Sequence, residues 1–212
     1  MACSHYDLDE FILACHRVAA HGLLRCSSGN LSWRLPDHKV AISARGSWLG
    51  ELEKDQIAIC RIDDGELLEG VPPSVESGMH LGVYAARTDA QCVLHFQSPC
   101  ATTLCCRGPE EIDFFVIPEV PYYIGPIGIV EYITPGTPEL ARAVAQKIKG
   151  HDLLLLKNHG QVVMGKDFDD TIQKAAFFEL ACEVILRGGR EVHPLSPADQ
   201  EALKNVSYGK TE

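Results

Sequence analysis

Three side chains with metal-binding chemistry stand at informative places in this chain: Glu76, His95 and His159. His95 lies near the end of the apolar run VLHF at 93–96, and His159 lies three residues after the apolar run LLLL at 153–156. Both runs are typical of buried strands. A carboxylate and imidazoles that converge at strand ends can hold a divalent metal ion. A histidine in an apolar strand is also commonly structural, so the elements that carry these residues matter.

Turn residues and apolar periodicity divide the chain into alternating helices and strands. Helices are predicted at 8–21, 74–87, 98–106, 137–150, 168–187 and from 196 onward, and strands at 30–34, 39–43, 57–62, 66–69, 92–96, 116–117, 127–130, 153–156 and 161–164. Paired hairpins interleaved with helices indicate an α/β (α+β) fold with a central, mainly antiparallel sheet flanked by helices. The length, and the lack of a linker or repeat, predict a single domain over 1–212.

Composition narrows the class of partner. The net charge of −10 and pI near 5.3 argue against a nucleic-acid partner, because phosphate backbones favour basic surfaces. The apolar runs are too short to cross a membrane. The first residues show no basic region followed by an apolar stretch, so we expect no secretory signal. The nine cysteines form no CxxC pair, which favours reduced thiols and a cytoplasmic location.

Several short motifs occur together in a characteristic order. They are SGNLS at 28–32, PSVE at 73–76 with Met79-His80, the strand ending at His95, Ile117-Pro118, NHG at 158–160 and Tyr208-Gly209. In this combination the chain resembles the class II aldolase/adducin family over nearly its whole length. The resemblance implies a three-layer fold, one zinc ion per subunit, a homotetramer with active sites between subunits, and cleavage of a phosphorylated sugar.

The resemblance also implies the metal ligands. The family strand ends in His-x-His, a spacing that places both side chains on one face. His95 and His159 match the family histidines, but Gln97 stands where the second histidine belongs. The Gln97 amide oxygen is a weaker zinc ligand than imidazole. Either Gln97 or Glu76 is expected to complete the shell.

Glu76 matches the family's acid/base glutamate, which lies nineteen residues before the strand histidine. A carboxylate beside the metal can remove a carbon-bound proton next to a polarised ketone. The alternative is an ordinary first-turn glutamate stabilised by the helix dipole. His80, one turn further on, is interpreted as structural.

Phosphate binding is implied for loops rich in glycine and hydroxyl residues. The residues that align with the phosphate-holding loops are Gly29, Asn30, Ser43, Arg45, Gly46 and Ser74. Such turns present free N–H groups to an anion. Val75 replaces a hydroxyl residue, and Arg45 stands where a small hydroxyl residue is usual. Arg45 can bind phosphate through two N–H groups or can indicate another anion, such as a carboxylate.

Tyrosines complete the implied site. Tyr122 aligns with the family tyrosine that protonates the aldehyde oxygen and is supplied by a neighbouring subunit. Tyr123 is one position away and is the alternative. Tyr208 aligns with a tail tyrosine that closes over the substrate. Packing explains Tyr122 and Tyr123 equally well, and a disordered terminus is the alternative for Tyr208.

Together with these residues, the resemblance implies a zinc-dependent aldehyde-lyase. The expected substrate is L-fuculose 1-phosphate or a similar ketose phosphate, cleaved to dihydroxyacetone phosphate and L-lactaldehyde. Three alternatives stay open: a pentulose-phosphate 4-epimerase, a dehydratase or decarboxylase of related sugar acids, and a metal-free adducin-like assembly module. Gln97 is the residue that favours the last of these.

Overall fold

The computed structural model describes residues 6–203 and Val206. One eight-stranded sheet forms its centre. The strands are β1 (Asn30–Leu35), β2 (Lys39–Ser43), β3 (Ile57–Arg61), β4 (Leu67–Gly70), β5 (Cys92–Phe96), β6 (Ile127–Val130), β7 (Leu153–Leu156) and β8 (Gly160–Gly165). Their order across the sheet is β4-β3-β2-β1-β5-β8-β7-β6. All neighbours are antiparallel except β6 and β7, which run parallel, so the mainly antiparallel sheet is confirmed.

Helices cover both faces of the sheet. They are α1 (Asp9–Ala20), α2 (Ser77–Ala86), α3 (Pro99–Cys105), α4 (Pro138–Lys147), α5 (Phe168–Gly188) and α6 (Pro197–Leu203). One core contains residues of α1, α3 and α5, including Phe11, Leu104 and Phe178. The other contains residues of α2 and α4, including Val83 and Val144. Three layers around one sheet result, as in the expected fold class.

The side chains of β5 point alternately into the two cores. Leu94 and Phe96 belong to the core under α1, α3 and α5, whereas Val93 belongs to the core under α2 and α4. Because side chains alternate along a strand, His95 lies on the same face as Val93. That face of β5 therefore presents His95 toward the layer that contains α2.

One predicted strand is wrong. Residues 116–117 form no strand, and a π-helix follows at Val120–Ile124. Pro118 and Pro121 lack the backbone N–H groups that a strand in a sheet must donate. The polypeptide therefore coils tightly before β6 begins.

Two further features concern disulfide bonds and membrane-spanning helices. The eight cysteines in the described part of the chain are all free. No helix within residues 6–203 is both long and apolar enough to cross a membrane.

Candidate metal centre and active site

Glu76, His95 and His159 converge at one end of the sheet. One ligand atom from each lies within 4.8 Å of the others. Glu76 Oε2 is 3.3 Å from His95 Nε2, and Glu76 Oε1 is 3.3 Å from His159 Nε2. The three side chains are between 2% and 9% exposed, so water contributes little to their solvation. The carboxylate thus lies between the two imidazoles.

The strands and a tight turn place the two histidines. His95 on β5 pairs with Asn30 on β1 and with Val162 on β8. His159 lies in the turn between β7 and β8, where Asn158 adopts φ +54°, a conformation that asparagine tolerates better than most residues. The strand pairing and the turn together bring both imidazoles to the same sheet end.

Gln161 determines which nitrogen of His95 faces the site. The His95 Nδ1–H group donates to the Gln161 carbonyl oxygen at 2.9 Å. Because Nδ1 is engaged by this bond, Nε2 is the ring nitrogen that faces Glu76 and that is available to a metal ion. A backbone acceptor behind a histidine is the usual support for a metal-ligating imidazole.

Burial and neighbouring charges set the protonation states. Burial acts to raise the pKa of Glu76, but His95, the Asn30 hydrogen bond and His159 outweigh it, so this pKa is lowered. Burial, with His95 adding to it and Glu76 opposing, lowers the pKa of His159 to about 4. At neutral pH the site therefore holds a carboxylate beside a neutral His159 imidazole.

The donor set fits a divalent cation. Glu76 Oε1 and His159 Nδ1 are buried and have no hydrogen-bond partner among the described residues. A buried carboxylate oxygen without a partner costs free energy unless something else satisfies it. A cation held by one carboxylate oxygen and two imidazole nitrogens would do so, and these are common zinc ligands.

Glu76 occupies the N-cap position of α2, and Ser74 precedes the helix. The sequence predicts Ser74 as the cap of this helix, but the N-cap is Glu76, two residues later, and α2 begins at Ser77. The Ser74 hydroxyl instead accepts the Glu76 backbone N–H at 3.3 Å. This turn points the Glu76 carboxylate into the sheet end rather than along the helix surface.

A cavity of about 290 Å³ opens above the three side chains. Its lining contains the candidate residues Gly29, Asn30, Arg45, Gly46, Ser74, Glu76, His95, Gln97 and His159. Arg45 is exposed at this cavity, and Gly46 adopts φ +73°, which favours glycine. The metal-binding and anion-binding candidates therefore share one cavity.

Ser43 is not part of that lining. Its side chain is fully buried in β2, and its hydroxyl accepts the Leu31 backbone N–H at 3.3 Å. Its side chain therefore lies outside the cavity lining that the other phosphate-binding candidates share. The adjacent Ala44 and Ser47 line the cavity instead.

Asn30 has a different environment from that expected of a phosphate ligand. Its Nδ2–H group donates to Glu76 Oε2 at 3.1 Å. Its Oδ1 lies 2.5 Å from His80 Nε2. Both ends of the amide are thus engaged inside the protein.

Tyr122 and Tyr123 lie outside the lining of this cavity. Tyr122 and Tyr123 line a separate, smaller cavity with Pro118, Glu119 and Phe177. Tyr123 also stacks on Phe177 of α5, with ring centroids 5.3 Å apart. Tyr208 lies outside the described residues. A single copy of the chain therefore does not bring Tyr122 to Glu76.

Some residues of the site escaped prediction from sequence. Ser27 and Pro135 line the cavity, and Gln161 orients His95. Ser27 lies beside the recognised SGNLS motif, and Gln161 follows the recognised NHG motif. Their types alone carry no chemical indication, and only the fold shows what they contact.

The fold and site together define a class of protein, and comparison with known families agrees. Residues 9–186 match the model of the class II aldolase and adducin N-terminal domain. The chain belongs to the class II aldolase/adducin family. The known relatives of this chain are lyases, and its buried carboxylate and two imidazoles fit a metal-dependent enzyme. The chain is therefore a metal-dependent lyase.

Three individual proteins illustrate the relationship. An L-fuculose phosphate aldolase of Methanocaldococcus jannaschii is 33% identical over 85% of this chain and 96% of its own. A 3-oxo-tetronate 4-phosphate decarboxylase of Haemophilus influenzae is 29% identical over 84% of this chain and 86% of its own. The crystal structure of YgbL, a putative aldolase/epimerase/decarboxylase from Klebsiella pneumoniae, has a TM-score of 0.85 and 27% identity. That comparison covers 92% of this chain and 96% of the YgbL chain.

Proposed function

We propose that this enzyme is a zinc-dependent aldolase that interconverts L-fuculose 1-phosphate, or a similar ketose phosphate, with dihydroxyacetone phosphate and L-lactaldehyde. The observation that carries the proposal is Glu76 Oε1, a buried carboxylate oxygen without a hydrogen-bond partner among the described residues. This oxygen lies 3.3 Å from His159 Nε2, the other carboxylate oxygen lies 3.3 Å from His95 Nε2, and Glu76 lines the shared cavity. A carboxylate placed in this way can contact a cation or accept a proton.

His95, His159 and Glu76 would hold the ion, with Gln97 at the same cavity as the remaining candidate ligand. When bound, zinc supplies Lewis-acid polarisation of the substrate carbonyl. The neutral state of His159, and the Nδ1 bond that turns His95 Nε2 toward the site, suit both residues to ligation. Gln97 occupies the position of the second histidine in the family pattern. At this position the chain therefore offers a neutral amide oxygen instead of an imidazole nitrogen.

Glu76 would move the carbon-bound proton. In the condensation direction, its carboxylate removes a proton from the hydroxymethyl carbon of dihydroxyacetone phosphate. The electron pair left on that carbon forms the new bond to the aldehyde carbon. A proton from Tyr122 then goes to the former aldehyde oxygen. In cleavage, Glu76 returns its proton to the same carbon, and Tyr122 takes one back.

Tyr122 needs a second copy of the chain for this role, because it lies in a separate cavity in one copy. We therefore include a homotetramer with shared sites in the proposal, and Tyr208 as a residue that closes the site. Residues 1–212 would act as one domain in the cytoplasm.

The exposed loop beside the metal centre would hold the substrate phosphate. Gly29, Gly46 and Ser74 line the cavity together with Arg45. A guanidinium can make two parallel hydrogen bonds to a phosphate group. Asn30, whose amide is engaged by Glu76 and His80, is a weaker candidate for this contact.

The direct test is a substrate panel with zinc-loaded full-length protein. Release of dihydroxyacetone phosphate from L-fuculose 1-phosphate, detected by a coupled NADH assay, is the expected result. Loss of that release after chelation and its return with zinc would support the metal assignment. Absence of dihydroxyacetone phosphate from every ketose phosphate tested would overturn the aldolase proposal.

Decarboxylation of a 3-oxo sugar-acid phosphate is the second candidate. Arg45 favours it, because this exposed cation at the cavity suits a carboxylate as well as a phosphate. The leaving group would be carbon dioxide, and Glu76 would protonate the carbon that retains the electron pair. Release of carbon dioxide from 3-oxo-tetronate 4-phosphate, without dihydroxyacetone phosphate from ketose phosphates, would identify this activity.

The two remaining alternatives have less support. Epimerisation of a pentulose phosphate uses the same bond cleavage, and the same panel tests it by the appearance of the epimer. An adducin-like assembly module needs no metal ligands. Here a carboxylate and two imidazoles converge on one buried point, which favours a metal enzyme.

A further inference from the structure

A chain of buried hydrogen bonds runs from α2 through β1 to the carboxylate of Glu76. Tyr84 Oη lies 2.9 Å from Ser32 Oγ, and Ser32 Oγ lies 2.7 Å from His80 Nδ1. His80 Nε2 contacts Asn30 Oδ1 at 2.5 Å, and Asn30 Nδ2 contacts Glu76 Oε2 at 3.1 Å. The five residues are between 0% and 8% exposed. No step in this chain depends on solvent.

Two simple periodicities bring these residues together. Glu76, His80 and Tyr84 are spaced by four, which places them on one side of α2. Asn30 and Ser32 are spaced by two on β1, which places them on one face of the sheet. Because α2 packs on that face, each side chain of the helix series meets one of the strand series.

The charge on Glu76 sets the direction of every bond. A carboxylate accepts hydrogen bonds only, so Asn30 must turn its NH₂ group toward Glu76. Asn30 Oδ1 then faces His80, and His80 Nε2 must carry the proton. His80 is neutral, because burial lowers its pKa to about 3, so its Nδ1 accepts from the Ser32 hydroxyl. Ser32 Oγ in turn accepts the Tyr84 O–H.

The geometry points to His80 and Ser32 as positioning residues that fix the amide orientation of Asn30 and thereby hold Glu76 Oε2, so that the carboxylate that moves the substrate proton keeps one orientation. This inference rests on the proposed role of Glu76. It separates the two carboxylate oxygens: Oε2 is anchored by Asn30, whereas Oε1 has no hydrogen-bond partner among the described residues. Asn30 then serves the carboxylate rather than the substrate phosphate.

A pair of substitutions at His80 separates positioning from packing. His80→Gln keeps an N–H donor near the position of Nε2, whereas His80→Met fills similar space without one. We expect His80→Met to lower kcat by roughly 10–100-fold, the usual effect of losing a supporting partner. The KM for the phosphorylated substrate should stay nearly constant, because uniform substrate binding is not affected. His80→Gln should restore most of kcat.

Two kinetic results would overturn the inference. Equal losses in His80→Gln and His80→Met would show that ring packing alone matters. A rise in KM at constant kcat would show that the network serves substrate binding. Circular dichroism and metal content of each variant would establish that the fold and the ion are retained in the compared proteins.

A second measurement needs no activity. Nitrogen-15 NMR of histidine-labelled, metal-free protein reports which ring nitrogen of His80 carries the proton. We expect protonated Nε2 in the wild type, and a mixture with protonated Nδ1 in Ser32→Ala, where the donor to Nδ1 is lost. Protonated Nδ1 in the wild type would overturn the inference even if the enzyme is an active aldolase. Failure of the substrate panel would affect the proposed function alone.

Discussion

Gly160 lies directly against the imidazole of His95. A Cβ atom built on Gly160 would be 3.2 Å from His95 Cε1 and 2.7 Å from the Phe96 carbonyl oxygen. It would also be 2.8 Å from Gln97 Cγ. Glycine at this position therefore permits β5 and β8 to approach closely enough to orient both His95 and Gln97.

We expect Gly160→Ala to destabilise the protein by about 1–3 kcal/mol, the usual range for an overpacked core position. The added methyl group must push the β5 backbone or the two metal-site side chains away. Urea unfolding measures the loss, and metal retention during dialysis should decline in the same variant.

Gly150→Ala is the matched control. Gly150 ends a short 3₁₀ helix, and a Cβ there would meet nothing within 4 Å. Its free energy of unfolding should change by less than about 1 kcal/mol, in the direction of greater stability. Equal destabilisation of the two variants would contradict the close-approach explanation.

Glu76→Gln tests the proton-transfer role. We expect kcat to fall by roughly 10²–10⁴-fold, the usual contribution of a general acid or base. The amide keeps the shape of the side chain, so metal content should be largely retained. Steady-state kinetics and elemental analysis provide the two measurements. Glu51→Gln, at an exposed position, is the control, and unchanged turnover in Glu76→Gln would remove this residue from the mechanism.

Gln97→His restores a second imidazole to the strand end. We expect this variant to hold zinc more tightly by roughly 10–100-fold, because imidazole is the better zinc donor. Competition with a chromogenic chelator measures the affinity. If the affinities are equal, Gln97 does not contact the ion, and Glu76 with the two native histidines forms the whole protein-derived shell.

Lys174 gives a prediction about pH and stability. Its Nζ lies 2.9 Å from both Asp152 Oδ2 and Asp170 Oδ2, and its side chain is 7% exposed. Burial acts to lower the pKa of Lys174, but the two carboxylates outweigh it and raise the pKa above 10.5. The two ion pairs of Lys174 therefore contribute their full share of the folding stability below pH 10.5. This contribution is lost as pH rises through the higher pKa of Lys174 in the folded state.

Lys174→Met should cost about 3–5 kcal/mol at neutral pH, the range for breaking a buried ion pair. Urea unfolding at several pH values measures the difference between wild type and variant. That difference should shrink as pH rises beyond 10.5. A constant difference would show that packing of the lysine side chain, rather than its charge, stabilises this region.

Sequence patterns predicted most elements of the fold because local periodicity and turn residues determine them. The β1–β2 and β3–β4 hairpins and helices α3 and α5 match within about two residues, the usual uncertainty at element ends. The pattern failed at 116–117, where two prolines prevent strand pairing, and at the start of α2. At α2, Ser74 binds the Glu76 backbone before the helix begins, which mimics an N-cap in sequence.

The site was predictable where a motif carries chemistry and unpredictable where tertiary contacts decide. Glu76, His95 and His159 converge as expected. Ser43 was expected to face a ligand, but its position in β2 points its hydroxyl into the sheet. The engagement of Asn30 by His80 could not be read from spacing alone, because it depends on how α2 crosses β1.

The sheet order also has a consequence for how the protein is made. Glu76, His95 and His159 come from distant parts of the sequence, and β5 must pair with β8 before the two histidines meet. Pairings of such long sequence separation form late and slowly. A nascent chain that ends before His159 has only part of the ligand set. Binding of the proposed zinc ion should therefore report completion of the fold during refolding, and it should not precede the β5–β8 pairing.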